Sequence, residues 1–325
     1  MSLGKFRLLD PAHVPRTLWT RESEVLSIPP SLAKAYETLI DRHSLRELSE
    51  SRDNDNPPTG GPSQEHTNQH FAQAFDGSVA RVELALLDPK RAATLPSNAL
   101  IGSMAGNNLC LTDAPCGAGA AAFSLLSTIA ELRAQGVLPR LPLEVFLVGA
   151  ELSGPARTYA ASMLDELRNS LEAQAIFVGE VFLPWDVTDS LSNADLIRQA
   201  TIKSANACQK LLVMANFSEF LQRSGKWKVA QPQIEELFRH ASGDNSVAIW
   251  IEPHMNRATA GGGLFQRLKG LVSTTWKRFA RHNSDLSAGG PVSICSARFW
   301  LPLKPTQTAN VRLAVMRIDL VRSKE

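Results

Sequence analysis

The stretch that most constrains this chain is L-C-L-T-D-A-P-C-G-A-G-A at 109–120, which runs directly into the small, apolar segment 121–130. A short apolar run ends in an acid, Asp113. A turn with Gly117 and Gly119 follows, and a helical pattern begins. Strand, tight glycine turn and helix in that order form the first βα unit of a doubly wound α/β domain whose turn cradles a nucleotide-like ligand. Glycine is required because a Cβ would hold the backbone away from that ligand. A glycine turn can also be only a tight connection, so the rest of the chain has to decide.

The rest of the chain alternates. After the strand at 108–112 and a helix at 119–135, L-E-V-F-L-V-G-A-E (143–151) reads as a second strand ending in an acid, and 155–171 as a helix with Tyr159, Met163, Leu164 and Leu167 on one face. Further strands are expected at 175–183, 210–217 and 246–252, with a short helix at 232–240 and another at 264–281. Two strands close the chain, at 297–301 and 311–321, with no helix between them. Strands alternating with helices imply a parallel sheet covered on both faces, and the final pair implies one antiparallel strand. The expectation is an α/β fold with a doubly wound, mostly parallel seven-stranded sheet over residues 96–325.

Residues 1–95 read as a helical N-terminal extension. One amphipathic helix is expected around 32–40, and a packing helix at 68–87 with Phe71, Phe75, Val79, Val82 and Leu86 at three- and four-residue steps. Between them, 49–66 is nearly free of apolar residues and rich in breakers, so an exposed mobile loop is expected there.

Written as D-A-P-C-G-A-G, the turn resembles the first motif of class I S-adenosylmethionine-dependent methyltransferases, usually D-x-G-x-G-x-G, with Pro115 at the first glycine position. That resemblance implies a Rossmann-like methyltransferase fold, S-adenosyl-L-methionine as cofactor and methyl transfer as activity. It also implies roles. Asp113, Ala114, Pro115, Cys116, Gly117 and Gly119 would approach the amino-acid part of the cofactor, with Asp113 helping to hold its ammonium group. Glu151, followed by Leu152, would accept both ribose hydroxyls, a pairing that a carboxylate at a strand end can make. Asp186, with Val187, would meet the adenine amino group, with Glu180 competing for that part. Asn216 would face the bound methyl group. In the family a helix just before the first strand helps to cover the cofactor. A finer likeness over roughly 70–270, carried by L-L-V-M-A-N-F-S-E-F-L and by Ile251-Glu-Pro before a glycine-bearing loop, is to the ribosomal small-subunit assembly methyltransferase-like family, although the metal-binding cysteine clusters typical there are missing.

Other candidates weigh less. Amino-group methyltransferases of adenine and glutamine often carry D/N-P-P-Y/F where this chain has Asn216-Phe-Ser-Glu, so a second reading has Asn216 only closing the cofactor pocket. RNA 5-methylcytosine methyltransferases use the cysteine of a D-A-P-C motif as nucleophile, but on their fourth strand; here Cys116 reads as a small residue packed in the turn. His66 and His70 share a helix face without further metal ligands in sequence and read as solvated. His254 follows the fifth strand near a substrate position. Arg267, Lys269, Lys277, Arg278 and Arg281 read as a solvated face that could also grip phosphates.

A net charge of +2 permits a nucleic-acid partner without arguing for one. Four scattered cysteines with no C-x-x-C fit neither a disulfide framework nor a zinc site, and no stretch approaches the length of a membrane span, so a cytoplasmic protein without metal or membrane partner is expected. The methyl acceptor is left open between RNA and protein, no catalytic residue is named, and the oligomeric state is not legible. Two other functions fit the same residues. A non-catalytic S-adenosylmethionine-binding scaffold would keep the fold alone. An NAD-dependent dehydrogenase would need G-x-G-x-x-G/A, which Gly117, Gly119 and Ala122 satisfy.

Overall fold

The computed structural model describes residues 6–51, 58, 60–254 and 292–320. Among them the chain forms β1 (Trp19–Thr20), β2 (Val25–Ser27), α1 (Pro30–Arg42), α2 (Arg46–Glu50), α3 (Gln64–Leu87) and α4 (Thr94–Ser103). The alternating core follows: β3 (Asn107–Asp113), α5 (Ala120–Ala134), β4 (Leu143–Ala150), α6 (Gly154–Glu172), β5 (Ile176–Leu183), α7 (Ser190–Lys203) and β6 (Gln209–Ala215). After it come α8 (Ser218–Arg223), α9 (Trp227–Ala241), β7 (Ser246–Pro253), β8 (Val292–Leu301) and β9 (Lys304–Asp319). The expected helix at 264–281 and its basic residues lie outside the described residues, as does part of the expected loop at 49–66.

The sheet is mostly parallel and runs β1-β2-β8-β9-β7-β6-β3-β4-β5. Among the described residues it has nine strands, not seven. The seven expected strands are all present, with β9 antiparallel to both β7 and β8. The two additional ones come from the N-terminal segment: β2 pairs parallel with β8, Leu26 opposite Phe299, and β1 folds back antiparallel on β2. Strands of two and three residues are too short for alternation to reveal them. Their pairing covers an edge that β8 would otherwise leave open.

Both faces of the central strands are buried, which is why they are almost continuously apolar. On one face Leu109, Leu111, Leu147, Val213 and Ile249 pack beneath α1, α3, α4, α5 and α6. On the other, Cys110, Val148, Leu212, Met214 and Trp250 pack with Leu196 of α7 and with Ile234 and Phe238 of α9. The first 95 residues share the first of these cores. Leu32, Tyr36, Leu39 and Ile40 of α1 are buried there, each such side chain worth about 1.5–3 kcal/mol of transfer free energy. Tyr36 donates its hydroxyl hydrogen to the carbonyls of Phe71 and Ala72 at 3.1 and 3.0 Å. A buried ion pair, Arg7 to Asp88 at 2.6 Å, ties the N-terminal segment to the end of α3.

Two helices differ from the sequence expectation for stated reasons. Pro96 occupies the first turn of α4, where a missing N–H leaves no hydrogen bond unmade. α9 starts five residues before Pro232 because Trp227 and Ala230 extend the buried stripe of Ile234, Leu237 and Phe238 at helical spacing.

The turn between β3 and α5 is fixed by Gly119, which caps the helix at φ +82°. A Cβ there would stand 2.0 Å from the ring of Phe123, which is itself fully buried and cannot move aside. Gly117 also has positive φ, +53°, but a Cβ there would meet nothing within 4 Å. Gly119→Ala should therefore cost at least about 3 kcal/mol, combining overpacking with backbone strain, whereas Gly117→Ala should cost only about 1 kcal/mol. Urea unfolding of the two variants measures this, and equal costs would contradict the packing described.

Candidate functional site

From β3 the chain steps outward to β4 and β5 on one side, then returns to place β6 on the other side of β3. The connections leaving β3 and β6 thus diverge at the carboxyl edge of the sheet and leave a crevice, the place where open α/β sheets bind ligands. A cavity lies there, with about 1220 Å³ of atom-free space when its mouth is included. Its floor and one wall come from the loops after β3, β4, β5 and β6, and the facing wall from α3.

The loops are held by backbone bonds that prolong the sheet. Ala114 N–H donates to Val213 O at 3.0 Å, Cys116 N–H to Ala150 O at 2.9 Å, and Asn216 N–H to Ile251 O at 2.9 Å. Glu151 N–H donates to Leu183 O at 3.1 Å. The Glu151 carboxylate then bridges two loops. Oε2 accepts from Gly117 N–H at 3.1 Å and Oε1 from Ser153 N–H at 2.8 Å. Burial pushes the Glu151 carboxyl above its ordinary range, against the opposing pull of those two amides and of Arg157. Each oxygen keeps a lone pair for a ligand hydroxyl.

Pro115, Cys116 and Gly117 line the cavity, and so do Glu151, Leu152, Asp186, Val187 and Asn216. Asp113, Ala114 and Gly119 are not in the lining. Asp113 is fully buried behind it, with Oδ2 accepting from Ala122 N–H at 3.1 Å in the first turn of α5 and Oδ1 without a partner. Cys116 is buried and burial, reinforced by Asp113 and Glu151, raises its thiol well above the usual range, which disfavours the thiolate a nucleophile needs.

Asp186 is placed by α7. Ser192 Oγ accepts from its N–H at 2.9 Å, and Asn193 Oδ1 accepts from Trp185 Nε1 at 3.2 Å while Asn193 Nδ2 donates to Gln233 O at 2.9 Å. Burial acts to raise the Asp186 carboxyl, but the hydroxyl and amide of Thr188 and the charge of Lys226 outweigh it and hold it low. Those Thr188 bonds both fall on Oδ1, so Oδ2 has no partner among the described residues. Glu180, the competitor, sits within β5 in an ion pair with Arg168 at 3.3 Å and is not in the lining. His254 lies at the end of β7, its N–H on Arg312 O, and is also outside the lining.

Asn216 adopts a left-handed backbone at φ +56°, which asparagine tolerates better than most residues. Arg81 Nε donates to its Oδ1 at 2.7 Å. The loop behind it rests on Glu252, whose buried Oε1 accepts from Phe217 N–H, Ser218 N–H and Trp250 Nε1 at 3.1, 2.9 and 2.5 Å. Burial raises the Glu252 carboxyl against those donors.

The facing wall comes from the helix read in the sequence as a packing helix, with the resembled family's cofactor cover as the other reading. Helix α3 packs into the core and also presents Thr67, His70, Phe71, Phe75 and Ser78 to the cavity. His70, expected to be solvated, is half-buried in that wall, while His66 stays exposed on the first turn of α3. Burial, together with the charge of Arg81, pushes the His70 imidazole down to about 4, so it is neutral near pH 7. Among the described residues no group of three His, Cys, Asp or Glu side chains could hold a metal ion, and no helix is long and apolar enough to cross a membrane.

These residues suit an adenosine-type cofactor: a pinned carboxylate at the end of β4 with lone pairs to spare, an acid after β5 with an open oxygen, and a glycine whose Cβ position is open. No family model matches the chain, and no curated protein matches it. Among solved structures it is similar to a TehB-like SAM-dependent methyltransferase from Corynebacterium glutamicum, at 16% identity and a TM-score of 0.30 over 68% of this chain and 85% of that one. It is also similar to a loganic acid methyltransferase with SAH, at 12% identity and a TM-score of 0.27, where 62% of this chain spans 61% of that one.

Asp113 gives the site a measurable pH signature. Burial is the main cause that lifts its carboxyl from 3.8 to about 7, with Glu151 adding to it and the Ala122 amide opposing. The folded protein therefore keeps a proton that the unfolded chain gives up, so this contribution to stability is full below about pH 4 and is lost as pH rises through about 7. Asp113→Asn keeps the acceptor for Ala122 and removes the titration. Urea unfolding from pH 4 to 8 should show the variant gaining on wild type by up to roughly 4 kcal/mol. Parallel stability curves would mean that Asp113 is ionised in the fold.

Proposed function

We propose that this chain is a class I S-adenosylmethionine-dependent methyltransferase. The observation that supports it most is the Glu151 carboxylate, pinned by the Gly117 and Ser153 amides at the switch point between β3 and β6. Counted from β5, the strands run β5-β4-β3-β6-β7-β9-β8 with β9 reversed, the order of the resembled family.

Each residue then has a task. Glu151 accepts the two ribose hydroxyls, oriented beforehand by the amides it already holds. Asp186 Oδ2 accepts from the adenine amino group, and Leu152 and Val187 bound the ring. Gly117 lets the main chain approach the amino-acid part, and Asp113 steadies the turn from behind through Ala122 rather than touching the ligand. When bound, the cofactor supplies a methyl group already activated on a sulfonium, so the protein's contribution is positioning and exclusion of water. Phe71, Phe75 and Phe217 close the cavity on that side and keep it dry.

The test is a binding titration. S-adenosylhomocysteine should bind with a dissociation constant in the micromolar range, about −8 kcal/mol. Glu151→Ala should weaken it at least tenfold, equivalent to about 1.5–3 kcal/mol for charge-assisted bonds to the ribose, and Glu151→Gln should fall between. Calorimetric heat from NAD and none from S-adenosylhomocysteine would replace this reading with a dehydrogenase. Binding that Glu151→Ala leaves unchanged would put the ribose elsewhere.

A further inference from the structure

The cavity has two chemically different halves. The carboxylates lie on the loop side, and the α3 side is aromatic. Phe71 is stacked on Tyr159 with centroids 4.4 Å apart and planes at 9°, and Phe75 on Tyr36 at 5.1 Å and 25°. Both phenylalanines are almost fully buried, so their positions are fixed before any ligand arrives. Flat, rigid walls of this kind favour a flat aromatic ligand.

Among the polar groups that interrupt those walls, two have hydrogen-bonding nitrogens to spare. One is His70, whose ring lies against the Gly60 backbone and whose nitrogens have no hydrogen-bond partner among the described residues. The other is Asn216. A guanidinium can only donate, so the Arg81 bond fixes the amide with Oδ1 occupied and Nδ2 left as a donor. The end of β6 therefore offers a donor, which pairs with a ligand oxygen.

We infer that this half of the cavity binds a small planar aromatic compound through a hydroxyl group, the hydroxyl donating a hydrogen bond to a His70 ring nitrogen and a ligand oxygen accepting one from Asn216 Nδ2. The low proton affinity of His70 agrees with this, since a neutral imidazole keeps a lone pair near pH 7. A polynucleotide is less well served. Lys226 is the one lysine or arginine in the described lining, which it shares with the acids Glu151 and Asp186. The inference rests on the proposed function for the compound's role as methyl acceptor, but not for its binding.

The experiment uses 2-naphthol and naphthalene, which differ only in the hydroxyl, titrated into the full chain with fluorescence as the readout. Wild type should bind 2-naphthol about tenfold more tightly than naphthalene, the effect of one to two hydrogen bonds. His70→Phe should cut that preference to about threefold or less while leaving naphthalene binding within about twofold, and His70→Gln, which retains an acceptor, should restore part of it. Because the comparison within wild type needs no variant, a folding defect in either mutant cannot hide the result. Equal binding of the two ligands by wild type, or no saturable binding of 2-naphthol, overturns the inference. So does tighter binding of a single-stranded oligonucleotide that displaces 2-naphthol. S-adenosylhomocysteine is titrated into the same samples. If it fails to bind wild type while the hydroxyl preference stands, the methyltransferase reading falls and the hydroxyl site remains; if it binds and the preference is absent, the reverse holds.

Discussion

The bridge from Glu151 to the Gly117 and Ser153 amides is the interaction on which the rest of this site depends. It joins the loop after β3 to the loop after β4 and to the N-terminus of α6, where Ser153 caps the helix through Ala156. Even a half-buried carboxylate is costly unless donors surround it, and two backbone amides and a nearby arginine supply that compensation. The same bonds fix the orientation of the carboxylate, so its remaining lone pairs point in a set direction before a ligand binds. Under the proposed function, structural and binding roles fall to this one side chain.

Helix α3 couples the core to the site. Its buried side packs on α5 and on the sheet, and its other face lines the cavity with His70, Phe71 and Phe75. The N-terminal segment is therefore not a detached extension. Tyr36 of α1 both bonds the α3 backbone and backs the Phe75 ring, while Arg7 and Asp88 hold the far end of α3. Movement of the segment before α3 would be felt directly at the cavity wall.

Much of the sheet was legible because its strands are long, apolar and separated by glycine turns and acids. The ends of β3 and β4 were legible because in each an apolar run gives way to an acid, Asp113 and Glu151. What escaped the sequence has physical causes. β1 and β2 are too short to carry a period, and α4 hides behind a proline that reads as a breaker but sits in a first turn. α7 buries only Asn193 and Leu196 completely, so it lacks an apolar stripe, yet its polar residues position Asp186. His70 shares its helix face with His66, and only the tertiary fold distinguishes a wall residue from an exposed one. Asp113 was expected to reach the cofactor, and its place behind the lining follows from the Ala122 bond, which spacing alone does not reveal.

The central claim is that the loops at the carboxyl ends of β3, β4 and β5 jointly hold an adenosine-type cofactor. Amide hydrogen exchange with and without S-adenosylhomocysteine tests it most directly, because it reports on every loop at once. Slower exchange is predicted together in 113–121, 150–156 and 185–188, with Gly117 and Ser153 among the protected amides. Exchange that is unchanged in those three segments, or slowed only elsewhere in the chain, would contradict the account.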